Sequence, residues 1–146
     1  MAPPLLTLDD IRLSFGGEPV LAGASLIIEP GARIALVGRN GSGKSTLLKI
    51  GAGLTEADAG ERFVDPGATI AYLPQEPDFS RFENVGAYVE SGLAHAQDVH
   101  LGRLYDEFGV SPEMRCATLS GGEARRAALV RIFAADPDAM LLDEPT

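Results

Sequence analysis

The sequence predicts an α/β fold that contains a phosphate-binding loop. The apolar run at residues 33–37 leads directly into a glycine-rich loop at 38–43, and a helical pattern begins near Lys44. A second apolar run, at residues 139–142, ends in two acidic residues. Strand, glycine loop and helix, with acids at the end of a second strand, are typical of parallel α/β sheets, whose ligands gather at the carboxyl ends of the strands.

The remaining elements follow from periodicity and turn residues. An antiparallel pair is expected to open the chain, with a turn at Gly16-Gly17, and a second strand pair is expected around a turn at 65–67. Between residue 76 and residue 118 the pattern is helical and polar. The strands are predicted at 5–15, 19–28, 33–37, 60–64, 69–73 and 139–144, and the helices at 44–50, 83–96, 100–108 and 120–133.

The glycine-rich loop, Gly-Arg-Asn-Gly-Ser-Gly-Lys-Ser, predicts a triphosphate site. Residues without a Cβ let successive N–H groups approach phosphate oxygens, and the helix that follows adds the positive end of its dipole. Lys44 is expected to reach the β- and γ-phosphates and Ser45 to be a ligand of Mg²⁺, with Thr46 supporting the phosphate shell. The alternative is a glycine-rich connection without a ligand. The predicted nucleotide-binding residues of this segment are Gly38, Asn40, Gly41, Ser42, Gly43, Lys44, Ser45 and Thr46.

Ser120 followed by Glu123 predicts a capping box, so a helix should begin here and end before Asp136-Pro137. Gly121 and Gly122 would leave the first N–H groups of that helix bare, which favours an anion site. The alternative is a well-capped helix with no ligand, in which Ala128, Ile132 and Phe133 face the core and Arg125, Arg126 and Arg131 face solvent. That alternative does not explain two glycines, since glycine weakens a helix.

These motifs together resemble the ATP-binding cassette (ABC) superfamily, over essentially all 146 residues. The resemblance implies that Asp143 holds Mg²⁺ through water and that Glu144 polarises the attacking water. It also implies that Gln75 in Tyr-Leu-Pro-Gln-Glu is a glutamine-loop residue that faces both metal and water. It also implies that Ser120, Gly121 and Gly122 contact the γ-phosphate of an opposite cassette in a head-to-tail pair. An aromatic such as Phe15 usually stacks on adenine in this superfamily, although a phenylalanine at the end of a strand is often a core residue.

Within the superfamily, the run Ser-Gly-Gly-Glu-Ala-Arg-Arg-Ala-Ala-Leu from residue 120 resembles the ABC-F branch of soluble tandem ATPases, many of which act on the ribosome. The Tyr-Leu-Pro-Gln-Glu-Pro segment agrees with an amino-terminal, Uup-like cassette. Only 43 residues (76–118) separate the glutamine loop from the signature motif of the superfamily, Leu-Ser-Gly-Gly-Glu at residues 119–123. That interval is short for the helical arm that is common in the branch. The family continues beyond the acidic pair, so the domain at 1–146, with a reduced helical subdomain at 76–118, is expected to be incomplete.

Composition limits the function classes. A net charge of −9 argues against binding nucleic acid through phosphate neutralisation over the whole surface. No apolar run approaches the ~20 residues that cross a bilayer, so a cytoplasmic protein without membrane insertion is expected. The expected ligands are ATP and Mg²⁺, and the expected partners are a second cassette and, as a candidate target, the ribosome.

Three functions remain open at this stage. The first is an ABC-F ATPase whose head-to-tail closure acts on a ribosome-linked target. The second is the ATP-hydrolysing subunit of an ABC transporter, and the third is a nucleotide-binding fragment without turnover. Because the signature needs an opposite phosphate loop, the chain alone is expected to hydrolyse ATP weakly or not at all.

Overall fold

The computed structural model describes residues 2–32, 34, 36, 43–93 and 100–143. Contacts divide the chain into two compact units, Met1–Tyr72 together with Asp138–Thr146, and Leu73–Pro137. The second unit contains the segment 76–118 and also the helix that follows the signature. None of the helices in the described ranges is long and apolar enough to span a bilayer.

The first unit is built on an antiparallel sheet. Strands β1 (Leu6–Ser14) and β2 (Pro19–Ile28) pair antiparallel and are joined through the bends at residues 15–18, and β3 (Ala59–Val64) pairs with the other edge of β1. Helix α1 (Lys44–Gly51) lies against β1, β2 and β5 (Ala139–Leu142). The buried core of this unit comprises Leu6, Leu8, Ile11, Leu13, Leu21, Leu47, Leu48, Ile50 and Leu141. This packing fixes the start of α1 relative to the end of β5.

The predicted pairing of the strands around residues 65–67 is wrong. The Asp65 amide donates to the Leu5 carbonyl, which extends the pairing of β3 with β1. After the turn that Ala68 closes by donating to the Asp65 carbonyl, strand β4 (Ile70–Leu73) pairs with β5. Each strand is matched by a long-range partner, so the turn connects two sheets and does not close a hairpin.

Strands β4 and β5 run in the same direction. Just before β4, the Thr69 carbonyl accepts from the amides of Asp138 and Ala139 at the beginning of β5. At the other end, Tyr72 contacts Asp143. Contacts between both beginnings and both ends require a parallel arrangement. The parallel strand predicted at 33–37 lies outside the described residues, except for Ile34 and Leu36.

The second unit is helical. Helices α2 (Val85–Ser91) and α3 (Leu101–Phe108) both pack on α4 (Gly121–Ala135), and a 3-10 turn at Cys116–Thr118 precedes α4. These confirm the helices predicted near 83–96, 100–108 and 120–133, with residues 94–99 outside the described ranges. Phe133 is 41% exposed, so the placement of its side chain in the core is wrong.

Candidate functional site

The start of α1 is fixed by Gly43. This residue has a φ of +92° and accepts a hydrogen bond from the Leu47 amide, which closes the first helical turn. A Cβ on Gly43 would lie 2.9 Å from Leu21 Cδ2 and 3.0 Å from the Val20 carbonyl oxygen. Glycine is therefore required here for two reasons: its φ is in the left-handed region, and β2 passes too close to leave room for a Cβ. Among the described residues, no side chain caps the first N–H groups of α1. This end of the helix can face an anion.

Ser45 and Asp143 lie 98 positions apart in the sequence and are joined by a hydrogen bond. The Ser45 hydroxyl donates to Asp143 Oδ1 over 2.9 Å. Asp143 is only 4% exposed, and it directly follows β5. Two residues predicted independently as magnesium ligands thus meet at one place, as expected where a parallel strand ends beside a phosphate-loop helix.

Tyr72 is a third member of this cluster that the sequence did not predict. Its hydroxyl donates to Asp143 Oδ2 over 3.2 Å. Burial, and then the negative charge of Asp143 and the hydrogen bond to it, raise the pKa of Tyr72 to about 12. The phenol therefore stays protonated, and a donor, at physiological pH. The sequence does show that a tyrosine lies near the end of β4. It does not show that β4 pairs with β5, the strand that leads to Asp143, so the contact could not be predicted.

The cluster has the chemistry that Mg²⁺ prefers. A carboxylate and a hydroxyl are hard oxygen donors, and a magnesium ion bound with phosphate needs only one or two protein ligands. Ser45 and Asp143 fit that requirement. Within the described part of the chain, no group of three or more His, Cys, Asp or Glu side chains is arranged as a metal site.

Several predicted site residues lie outside the described residues. They are Gly38, Asn40, Gly41, Ser42 and Glu144. Lys44 is the first residue of α1 and Thr46 the third, and both are half-buried. The described part of the site is therefore the helix start and the acidic strand end.

The glutamine loop, Pro74–Glu76, belongs to the second unit and is held from α4. One guanidinium nitrogen of Arg125, Nη1, donates to the Pro74 carbonyl over 3.3 Å and to the Gln75 carbonyl over 3.0 Å. Arg125 is half-buried, so its placement in solvent is wrong, and Arg131 instead lies over the Tyr88 ring at 4.9 Å. The Gln75 side chain is exposed.

The signature forms the predicted capping box. The Ser120 hydroxyl accepts from the Glu123 amide over 3.1 Å, and the Glu123 carboxylate accepts from the Ser120 amide over 2.9 Å. The hydrogen bond from the Ser120 backbone lowers the pKa of Glu123 below its ordinary value of 4.5.

No contact among the described residues requires glycine at the two signature positions, Gly121 and Gly122. Gly121 and Gly122 are exposed, and a Cβ on Gly121 would meet no atom of the described residues within 4 Å. A Cβ on Gly122 would meet only the flexible end of Arg126, at 3.2 Å. Glycine is a weaker helix former than alanine, so two glycines that no contact among the described residues demands are unexplained by a helix that is merely well capped.

Phe15 is not a core residue. Its ring is 70% exposed at the end of β1. The alternative of a buried strand-end phenylalanine is therefore wrong, and stacking on a base remains a prediction.

The sequence pattern of the ABC transporter family matches residues 21–146, so the chain belongs to this family of ATP-binding domains. The fold and the Ser45–Asp143 cluster agree with that membership. The chain is 51% identical over 144 residues to ATP-binding protein Uup of Caulobacter vibrioides, which confirms the predicted Uup-like resemblance. That alignment covers 98% of this chain and 23% of Uup.

Other relatives include both translation proteins and importers. Energy-dependent translational throttle protein EttA of Mycobacterium tuberculosis is 33% identical over 187 positions, which cover the whole chain and 34% of EttA. Aliphatic sulfonates import ATP-binding protein SsuB 3 of Rhodococcus jostii is 38% identical, over 99% of this chain and 54% of that protein. The chain thus spans between about a quarter and about half of these relatives.

Solved structures show the same fold. An ATP-binding subunit of an ABC transporter superposes with a TM-score of 0.85 at 24% identity, over 97% of this chain and 66% of that chain. A bacterial Atm1-family ABC exporter with ATP bound gives a TM-score of 0.81 at 24% identity, over 100% and 30% of the two chains. The predicted ABC-type P-loop fold is confirmed.

Proposed function

We propose that this chain is the ATP-binding and ATP-hydrolysing domain of a cytoplasmic ABC-F type protein. The observation that carries the proposal is the 2.9 Å hydrogen bond between Ser45 and the buried Asp143. It brings together the start of a phosphate-loop helix and the acidic end of a parallel strand. The similarity to Uup supports the choice of branch.

ATP binding depends chiefly on the start of α1. Lys44 supplies an ammonium group to the β- and γ-phosphates, and the amides near Gly43 add the positive end of the helix. Thr46 and the glycine loop complete the phosphate shell. Phe15, exposed on the same unit, offers its ring to adenine.

Ser45 and Asp143 are the residues proposed to hold Mg²⁺. When bound, the ion supplies positive charge that neutralises the phosphate oxygens during transfer. In this proposal Glu144 accepts a hydrogen bond from the attacking water and Gln75 orients that water. Both act by holding a proton-bearing atom in place, since phosphoryl transfer needs positioning more than covalent chemistry.

Ser120, Gly121 and Gly122 are proposed to close over ATP bound by an opposite cassette. The exposed helix start of α4 and the open space above Gly121 support this role. Closure of a head-to-tail pair would then convert ATP binding into movement of a target. Because each site needs both cassettes, the 146-residue chain alone should turn over slowly.

Nucleotide binding is tested by titrating the purified chain with ATP in a calorimeter, with and without Mg²⁺. Lys44→Ala is expected to weaken binding at least tenfold, because it removes the only side-chain charge proposed to contact the phosphates. Lys49→Ala, an exposed lysine near the end of the same helix, is the matched control and should bind normally. Absence of Mg²⁺-dependent ATP binding by folded wild-type chain would refute the proposal.

The composite site is tested with Gly121→Val in a chain paired with a second cassette. The fold should persist, since the site is open, whereas ATP-driven pairing and phosphate release should fall. Unchanged pairing and turnover would show that the signature does not contact nucleotide. Phosphate release by the chain without a partner, lost in Lys44→Ala, would instead show that one cassette suffices.

A second candidate is the ATP-hydrolysing subunit of a transporter, favoured by 38% identity to the sulfonate importer subunit over 99% of the chain. A membrane protein that co-purifies and stimulates phosphate release would support it. Co-sedimentation with ribosomes in the presence of ATP would support the ABC-F function. If the chain binds ATP but releases no phosphate, either alone or paired with a second cassette, its function is that of a nucleotide-binding module without turnover.

A further inference from the structure

The carboxylate of Asp143 is held by hydroxyl groups on both of its oxygens. Ser45, on α1, donates to Oδ1 over 2.9 Å, and Tyr72, on β4, donates to Oδ2 over 3.2 Å. Asp143 itself is 4% exposed, so solvent has little access to it. Donors on two separate elements, α1 and β4, thus fix the rotation of a carboxylate that follows β5.

The sheet makes this contact a consequence of strand pairing. The amides of Asp138 and Ala139 bond to the Thr69 carbonyl, and Asp138 Oδ2 accepts from the Thr69 amide over 2.8 Å. These bonds fix the register of β4 against β5. The same register carries Tyr72 to Asp143 at the other end of the strands.

We propose that Tyr72 is a positioning residue for magnesium-dependent ATP binding. Its hydroxyl occupies Oδ2 of Asp143 and so directs Oδ1, the oxygen beside Ser45, toward the metal. The inference rests on the proposed function, because it assigns Asp143 to the metal. No contact with the metal or the nucleotide is assigned to Tyr72, and its proposed action is through the orientation of Asp143.

Loss of the phenolic hydroxyl has a predictable consequence. Without this donor the carboxylate can rotate, and part of its orientation must be restored when the ion binds. Groups that orient a metal ligand typically contribute 10–100-fold to metal affinity. We expect the lower end, about tenfold, because Ser45 still bonds to Oδ1.

The test is Tyr72→Phe, which removes one oxygen atom and keeps the ring. ATP affinity is measured by calorimetry at saturating Mg²⁺ and again in excess chelator. The ratio of the two affinities should fall about tenfold in Tyr72→Phe, with the affinity in chelator unchanged. Tyr105→Phe, which removes the hydroxyl of a buried tyrosine in the other unit, is the matched control and should leave the ratio unchanged.

A merely structural role gives a different result. If Tyr72 only stabilises the fold, Tyr72→Phe lowers the thermal midpoint and leaves the affinity ratio as it was, which would overturn the inference. A higher ratio in Tyr72→Phe would also overturn it, since Tyr72 would then compete with the metal for Asp143. In the Asp143→Asn background, Tyr72→Phe should have no further effect on the ratio.

A second measurement keeps the inference testable if Tyr72→Phe does not fold. The chain has three tyrosines, so 3-fluorotyrosine labelling gives three ¹⁹F resonances. Asp143→Asn should shift one resonance and leave those of Tyr88 and Tyr105 in place. Three unmoved resonances would refute the contact. Failure of the wild-type chain to bind Mg²⁺ and ATP would refute the proposed function, and with it the role of Tyr72. If the wild type binds both normally and Tyr72→Phe leaves the ratio of the two ATP affinities unchanged, only the role of Tyr72 is refuted.

Discussion

Gly43→Ala should destabilise the first unit even in the absence of nucleotide. At a φ of +92° an alanine pays about 1–2 kcal/mol for the left-handed conformation. Its Cβ would also lie 3.0 Å from the Val20 carbonyl oxygen and 2.9 Å from Leu21 Cδ2. The side chain can shift, but the carbonyl belongs to β2, so relief requires movement of the strand. Such crowding adds about 1–3 kcal/mol.

The expected loss is therefore about 3 kcal/mol, which corresponds to a thermal midpoint lower by about 10 °C for a domain of this size. Urea and thermal unfolding followed by circular dichroism, without ATP, measure it. Gly31→Ala is the matched control, because its φ is also positive, at +78°, and a Cβ there meets no atom of the described residues within 4 Å. It should lose only the conformational part, about 1 kcal/mol.

Equal losses in Gly43→Ala and Gly31→Ala would refute the crowding argument. A loss below about 1 kcal/mol in Gly43→Ala would refute the left-handed conformation as well. The result matters for function, since the same residue begins the helix that is proposed to face phosphate. A glycine retained only for ligand contact would leave stability unaffected.

The contacts of α4 and the exposed ring of Phe15 give three more expectations. Arg125→Met should speed hydrogen exchange in the glutamine loop, measured by mass spectrometry, because it removes two hydrogen bonds to carbonyls of that loop. Arg103→Met is an exposed control and should leave the exchange rate unchanged. Equal protection of the loop in Arg125→Met and the wild type would refute the idea that Arg125 holds the loop. The pKa of Glu123 is lowered on folding, so its stabilisation is present above pH 4.5 and is lost as the pH falls through the folded value. In Glu123→Gln this part of the pH dependence of the thermal midpoint should disappear, and identical acid profiles would contradict the capping assignment. Phe15→Ser should weaken the binding of ATP but not that of inorganic triphosphate. Its free energy of unfolding should stay within about 0.5 kcal/mol of the wild-type value, because Phe15 is exposed. Equal losses of affinity for both ligands would exclude stacking of Phe15 on adenine.

Local rules predicted most elements. The bounds of β2 at Pro19–Ile28 agree with the sequence pattern, because alternating apolar residues and flanking turn residues specify a strand locally. The capping box at Ser120 was predictable for the same reason, since its two hydrogen bonds join residues three positions apart.

Long-range pairing was not predictable in the same way. Nothing local to residues 59–73 shows that β3 pairs with β1 and β4 with β5, and a turn at 65–67 suits either topology. The roles of Tyr72 and Arg125 depend on contacts 71 and about 50 residues away in sequence. A propensity scale evaluates neighbours along the chain and cannot assign such partners.

The sequence by itself determined that this protein has a phosphate loop, an acidic strand end and a capped signature helix, because each is a short pattern with its own chemistry. Only the tertiary structure decided that Ser45, Tyr72 and Asp143 form one cluster, that Phe15 is exposed, and that the signature glycines face open space. The physical reason is that hydrogen bonding and burial of these side chains depend on how distant strands pair, and pairing minimises the free energy of the whole sheet.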